Sequence, residues 1–210
     1  MASARNRRQG PAPLLEKEPA TLEELNALMS AAEPPTPSES KAVPGEGPVG
    51  AAIFFVGEQP GDEEDIQGRP FVGPAGRLLT RALAEARIDR NQQYLTNAVK
   101  RFKFVRRGKR RIHEKPTAGE VRHYRWWLNR EIEIVRPKLL VALGSTALLA
   151  LAGKALPIGR NRGEMQFGDR QGYVTVHPSY LLRIPEAAAK EQAYKDFVDD
   201  LRRVRKLAQR

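Results

Sequence analysis

Ala51-Ala-Ile-Phe-Phe-Val-Gly-Glu-Gln-Pro-Gly-Asp62 is the stretch that decides the fold. Its first six residues are an unbroken apolar run, which predicts a short strand buried on both faces. Gly57, Pro60 and Gly61 then stop the strand and turn the chain. The same alternation of short apolar runs and helical patterns continues downstream. Pro74 to Arg87 reads as a helix with proline suited to its first turn. Tyr94 to Val99 reads as a second strand. Thr117-Ala-Gly-Glu120 is a capping box that opens a helix reaching Val135. The stripe Val121, Tyr124, Leu128, Ile132 and Val135 on it has helical spacing. Lys138 to Leu143 reads as a third strand, Ser145 to Ala152 as a helix, and Tyr173 to Val176 as a fourth strand. Pro185 to Leu207 reads as a closing helix with Tyr194, Phe197, Leu201 and Val204 on one face. The pattern predicts an α/β fold: a three-layer α/β/α sandwich around a central, mostly parallel four-stranded sheet.

Upstream of this alternation the chain changes character. Eight of the 16 prolines fall in the first 50 residues. Met1 to Pro13 is small and basic and reads as a disordered arm. Thr21-Leu-Glu-Glu24 is a capping box for a short helix ending near Ala32. Glu33 to Pro48 carries five prolines and reads as an extended connector. Residues 1–49 are therefore expected to form an arm, helix and connector, and residues 50–210 the compact domain. A domain of roughly 150 residues buries about 70% of its unfolded surface and folds without a staple.

Composition excludes several chemistries. The chain of 210 residues has no cysteine. That removes disulfides, zinc–thiolate sites, a thiol nucleophile and a cysteine-ligated iron–sulfur cluster. No apolar run approaches the roughly 18 residues of a membrane span, and the N-terminus lacks a signal-peptide core. A cytoplasmic protein without membrane contact is the expectation. The formal charge of +11 points to a polyanionic partner. Lys100 to Arg130 holds 12 basic residues and two acids, a net of +10. Basic residues interleaved with Phe102 and Phe104 suit a nucleic-acid backbone groove, although a solvated basic loop would look the same.

In parallel sheets the site lies beyond the carboxyl ends of the strands. Four polar segments fall there: Gly57 to Asp62, Asn97, Gly144-Ser145-Thr146, and His177-Pro178-Ser179. The glycine loop resembles a phosphate cradle, but Glu58, Asp62, Glu63, Glu64 and Asp65 would repel a phosphate. Glu58 directly follows the first strand and is expected to face the cleft. A carboxylate there can position a nucleophile or stabilise a cationic transition state such as the oxocarbenium of glycosidic cleavage. The three histidines are His113, His123 and His177. His123 reads as structural or exposed. His177 at the rim can donate to a leaving-group oxygen. His113 ends the basic loop, where a neutral imidazole can act as nucleophile or base. Phe71 sits in the glycine-bracketed loop 68–74, either as a core ring or as a platform for a base. The Asn97 amide matches the polar edge of a pyrimidine.

Together these segments resemble the uracil-DNA glycosylase superfamily. The supporting stretches are Gly-Arg-Pro-Phe-Val-Gly-Pro-Ala-Gly-Arg-Leu-Leu at 68–79, Thr-Asn-Ala-Val-Lys at 96–100 and His-Pro-Ser at 177–179. Gly-Glu-Gln-Pro-Gly-Asp at 57–62 with Lys-Arg-Arg-Ile-His at 109–113 resembles the UdgX group, relatives of family 4 that cross-link to their substrate. The resemblance implies a uracil-DNA glycosylase acting on single- or double-stranded DNA as a monomer. His113, Glu58 and His177 would be catalytic. Gln59, Asp62, Phe71 and Asn97 would hold uracil and its sugar. Lys100, Lys109, Arg110, Arg111, Ser179 and Arg183 would contact DNA, with Leu181 and Leu182 placed to wedge into the helix. Free uracil would be the product, and His113 would remain bonded to the abasic sugar. The alternatives are a turning-over glycosylase and a non-catalytic DNA-binding module. Relatives usually carry a four-iron, four-sulfur cluster. Its ligand positions correspond to Arg101, Tyr124 and two residues within Ser30 to Ala42, so no cofactor or metal is expected here.

Overall fold

In the computed structural model all five residues of β1 (Ile53–Gly57) are buried. Strand alternation sends Phe54 and Val56 into one core, and Ile53 and Phe55 into another, so β1 is the central seam of two apolar layers. The structure describes residues 17–34 and 40–210. Met1 to Pro13 and part of the connector lie outside the described residues.

β1 is flanked in parallel by β2 (Tyr94–Asn97) and β5 (Leu139–Leu143), and β5 is followed by parallel β7 (Arg170–Thr175). The sheet has five strands, not the four expected. Its order is β2-β1-β5-β7-β6, with β6 (Gly163–Phe167) antiparallel at the edge. β6 was not legible because Glu164 and Gln166 are exposed along an edge, and no apolar run marks it.

One face is covered by α1 (Leu22–Ala31), α4 (Ala118–Val135) and α5 (Ser145–Ala152), the other by α3 (Pro74–Glu85), α7 (Pro178–Arg183) and α8 (Ala187–Ala208). The three-layer α/β/α sandwich is thus as expected. The Thr117–Glu120 capping box forms in full, with the Glu120 N–H donating to Thr117 Oγ1 at 3.2 Å and the Thr117 N–H to Glu120 Oε2 at 2.7 Å. At α1 the Glu24 N–H donates to Thr21 Oγ1 at 3.2 Å, but the Glu24 carboxylate accepts from the Ala20 N–H instead of closing the box. The closing helix is shorter than expected at its start, because Pro185 separates it from α7. A short α2 (Asp62–Gln67) follows the glycine loop, and a four-residue α6 (Ile158–Asn161) precedes β6.

Two features change the reading of the chain's organisation. First, α1 buries Leu25 and Met29 in the same core as α4, and Glu46 bridges Leu95 of β2 in antiparallel fashion. The boundary at residue 50 therefore cuts through one packed body. Second, the basic loop is a hairpin. β3 (Phe104–Arg107) pairs antiparallel with β4 (Arg110–His113) around Gly108 and Lys109.

Candidate active site

The four strand-end segments converge on one cavity of about 1190 Å³. Gly57 brings two of the cavity's lining side chains together. A Cβ there would lie 2.4 Å from Asn97 Oδ1 and 2.6 Å from the Phe71 ring, so only glycine lets these two side chains close in. Phe71 is 4% exposed and holds a left-handed φ of 56°. Gly76 admits that kink, since a Cβ on it would lie 2.0 Å from the Phe71 carbonyl oxygen. The ring stands 6.4 Å from His177, centroid to centroid. Asn97, at the end of β2, is also buried and lines the cavity.

Glu58 directly follows β1, and its two oxygens are divided between two partners. Oε1 lies 3.1 Å from His113 Nε2, and Oε2 accepts from Thr146 Oγ1 at 2.6 Å. Burial alone would raise the carboxyl pKa. The hydrogen bonds from His113 and Thr146 outweigh it and hold the pKa down to about 2. Glu58 is thus an anion aimed at an imidazole. Thr146 was placed at the rim with Gly144 and Ser145 but was given no role of its own in sequence. Its only signal is its position one residue into α5, directly after the third parallel strand.

His177 caps α7. Its Nδ1 accepts the Ser179 N–H at 3.2 Å and lies 2.8 Å from Ser179 Oγ. An Nδ1 acting as acceptor puts the proton on Nε2, where it can donate. Burial pushes the His177 pKa down to about 4 and keeps the ring neutral near pH 7.

Several expected roles change. Lys100 is fully buried, 2.6 Å from Glu131 Oε2, and donates to Thr96 Oγ1 at 2.7 Å. It cannot reach DNA; it ties β2 to α4. The Gln59 amide is consumed by the hairpin. Its Nε2 donates to the carbonyls of Lys103 and Glu114, each at 3.1 Å, and its Oε1 accepts the Lys103 N–H at 3.2 Å. Gln59 lines the cavity and clamps both ends of the hairpin that carries His113. Asp62 and Asp65 both bind Arg111, whose guanidinium also covers Phe102 and Phe104. Asp62 and Arg111 are thus spent on each other, which anchors the hairpin but removes Arg111 as a phosphate contact. Ser179 is engaged with His177, and Arg183 donates to Ser179 Oγ at 3.1 Å from an exposed rim. Leu181 is core, whereas Tyr180 and Leu182 are 49% and 39% exposed at the same rim. Lys109 and Arg110 are exposed at the hairpin turn.

The positions that correspond to cluster ligands do not fit a cluster. No thiolate exists on the chain. Arg101 instead donates to the carbonyls of Ala32 at 2.7 Å and Ser40 at 2.6 Å. Tyr124 is buried beside the same guanidinium, and burial pushes its pKa up to about 12. A cation with a tyrosine therefore joins the segments that a cluster would join.

A buried pocket with a ring, an amide, an anion and two imidazoles suits the removal of a flat heterocycle from a sugar. Comparison with known proteins gives the class. Residues 44–202 match the model of the uracil DNA glycosylase superfamily, and the chain belongs to that family. It is 43% identical over 149 residues to a type-4 uracil-DNA glycosylase of Thermotoga maritima, covering 70% of this chain and 74% of that protein. It is 38% identical over 153 residues to one of Pyrobaculum aerophilum, covering 69% and 74%. It is 34% identical over 182 residues to one of Sulfurisphaera tokodaii, covering 80% and 76%. Among the described residues, no helix is long and apolar enough to cross a membrane.

Proposed function

We propose that the chain excises uracil from DNA and stays covalently attached to the abasic sugar through His113, as UdgX-type enzymes do. Family membership and the type-4 relatives support the excision. The observation that carries the covalent step is the 3.1 Å approach of His113 Nε2 to the ionised Glu58. The reading includes no cofactor, a monomeric protein, and DNA in the cytoplasm as its substrate.

In this mechanism the target base leaves the stack and enters the cavity. Phe71 packs on its face, and Asn97 pairs with its polar edge. The bond from the base nitrogen to the anomeric carbon breaks, and uracil departs with the electron pair. His177 Nε2–H donates to the oxygen that gains the negative charge. The sugar cation forms beside the Glu58 carboxylate. One imidazole nitrogen of His113 then bonds to the anomeric carbon, and the proton on the other nitrogen passes to Glu58. Lys109, Arg110 and Arg183 supply the phosphate contacts.

A second reading, a turning-over glycosylase in which water captures the cation, is favoured by the type-4 relatives. A denaturing gel with a uracil-containing oligonucleotide separates the two. A heat- and detergent-resistant shift that requires uracil supports the first; released uracil with repeated turnover and no shift supports the second.

The Thr146 contact gives a further expected result. Thr146→Val removes the donor but keeps the volume. Loss of one hydrogen bond to a charged group corresponds to about 1.5–3 kcal/mol, so excision should slow by about 10- to 100-fold. Thr146→Ser keeps the hydroxyl and should restore most of the rate. Equal rates for the Val variant and the wild type would remove Thr146 from this role.

A further inference from the structure

Strand alternation sorts the β3–β4 hairpin into two unlike faces. On the inner face, Arg111 is bonded to α2 and lies over Phe104, while His113 faces Glu58. The outer face carries Val105 opposite Ile112, and Arg107 opposite Arg110. Val105 is 41% exposed and Ile112 39%. Six large apolar side chains are exposed among the described residues, and these two are cross-strand neighbours. Arg107, Lys109 and Arg110 frame the pair and are exposed. No ion pair links any of the three to an acid among the described residues. Among the described residues, the fold therefore leaves this apolar pair partly exposed beside three cations without an acidic partner.

A polyanion that also presents apolar surfaces complements such a face. A nucleic-acid strand does so, with phosphates for the cations and unstacked base faces for the aliphatic pair. Place matters as well as chemistry. Ile112 precedes His113, and consecutive Cα atoms are about 3.8 Å apart. Its side chain leaves the backbone on the side away from the cavity. The outer face begins one residue from His113, so nucleotides flanking a target sugar held at His113 lie within a short reach of it.

We infer that the outer face of the hairpin binds the nucleotides flanking the target. Val105 and Ile112 pack against an unstacked flanking base, and Arg107, Lys109 and Arg110 hold the adjoining phosphates. This rests on the DNA-directed reading above and extends its Lys109 and Arg110 contacts to Arg107 and the Val105–Ile112 pair. None of these side chains takes part in the bond-breaking step.

The test uses the full chain and a fluorescent, uracil-free single-stranded oligonucleotide, titrated at several salt concentrations. The double variant Val105→Thr, Ile112→Thr keeps β-branched side chains in the strands and should retain the wild-type melting temperature. It should bind about fivefold more weakly, about 1 kcal/mol, with an unchanged salt slope. Arg107→Gln, Arg110→Gln should instead flatten the slope by roughly 1.4, two phosphates at about 0.7 each. In single-turnover uracil release, the Thr variant should need more protein for half-saturation and reach the wild-type maximum rate. Wild-type affinity in the Thr variant, or a wild-type salt slope in the Gln variant, would overturn the proposal. Absence of uracil release by the wild type would count against the glycosylase reading alone, because the uracil-free titration reports the surface separately.

Discussion

His113→Ala should leave no protein–DNA adduct while free uracil is still released. The side chain is 48% exposed at the end of β4, so its removal opens no cavity in the core. Glu58, Asn97, Phe71 and His177 do not depend on it for their place, since each is held by other contacts. With the imidazole gone, water can enter beside Glu58 and capture the sugar cation. The chemistry then becomes that of a turning-over glycosylase. A denaturing gel reads the adduct, and chromatography of the supernatant reads uracil. An undiminished adduct in this variant would remove His113 from the nucleophile's role.

Glu58→Gln should slow excision by about 10²–10³-fold. The glutamine preserves shape, but it removes the negative charge beside the developing cation and the acceptor for the imidazole proton. The ratio of wild-type to variant rate should be the same at pH 6 and pH 8, because the carboxyl pKa of about 2 keeps Glu58 ionised across that range. A sloping ratio would place the titration elsewhere. The same depressed pKa has a consequence for stability. A carboxylate favoured in the folded state stabilises it above the ordinary value of 4.5, and that contribution is lost as pH falls toward 2. Acid unfolding of Glu58→Gln should lack this component, which urea melts between pH 5 and pH 3 would reveal.

The elements with strong local signals were legible in the sequence. The apolar run of β1, the proline at the start of α3 and the N-caps at Thr21 and Thr117 each reflect contacts within a few residues, and each lies where expected. The rim was legible too, because parallel strands must all end on one side. Contacts that span the chain were not. Lys100 looked like a DNA contact because it opens a basic run, yet its partner Glu131 lies 31 residues away on α4. Nothing local distinguishes a buried lysine from an exposed one. The family resemblance implied that Gln59 and Asp62 hold uracil and its sugar, but it gave no sign that they also bond to the hairpin, 44 and 49 residues downstream. The hairpin itself was hidden by charge: arginines occupy both its inner and outer faces, so no apolar alternation announces two strands. The result is nevertheless coherent. Gln59, Asp62, Asp65 and Arg111 all serve to hold one short ribbon against the cavity, with His113 at its end.

That ribbon bears the central claim, and mass mapping of the linked residue tests it most directly. After reaction with a uracil oligonucleotide, nuclease trimming and proteolysis, the deoxyribose remnant should sit on the peptide containing His113, with fragment ions placing it on the imidazole. A remnant on any other residue, or unmodified His113 peptide beside released uracil and free abasic DNA, would contradict the account.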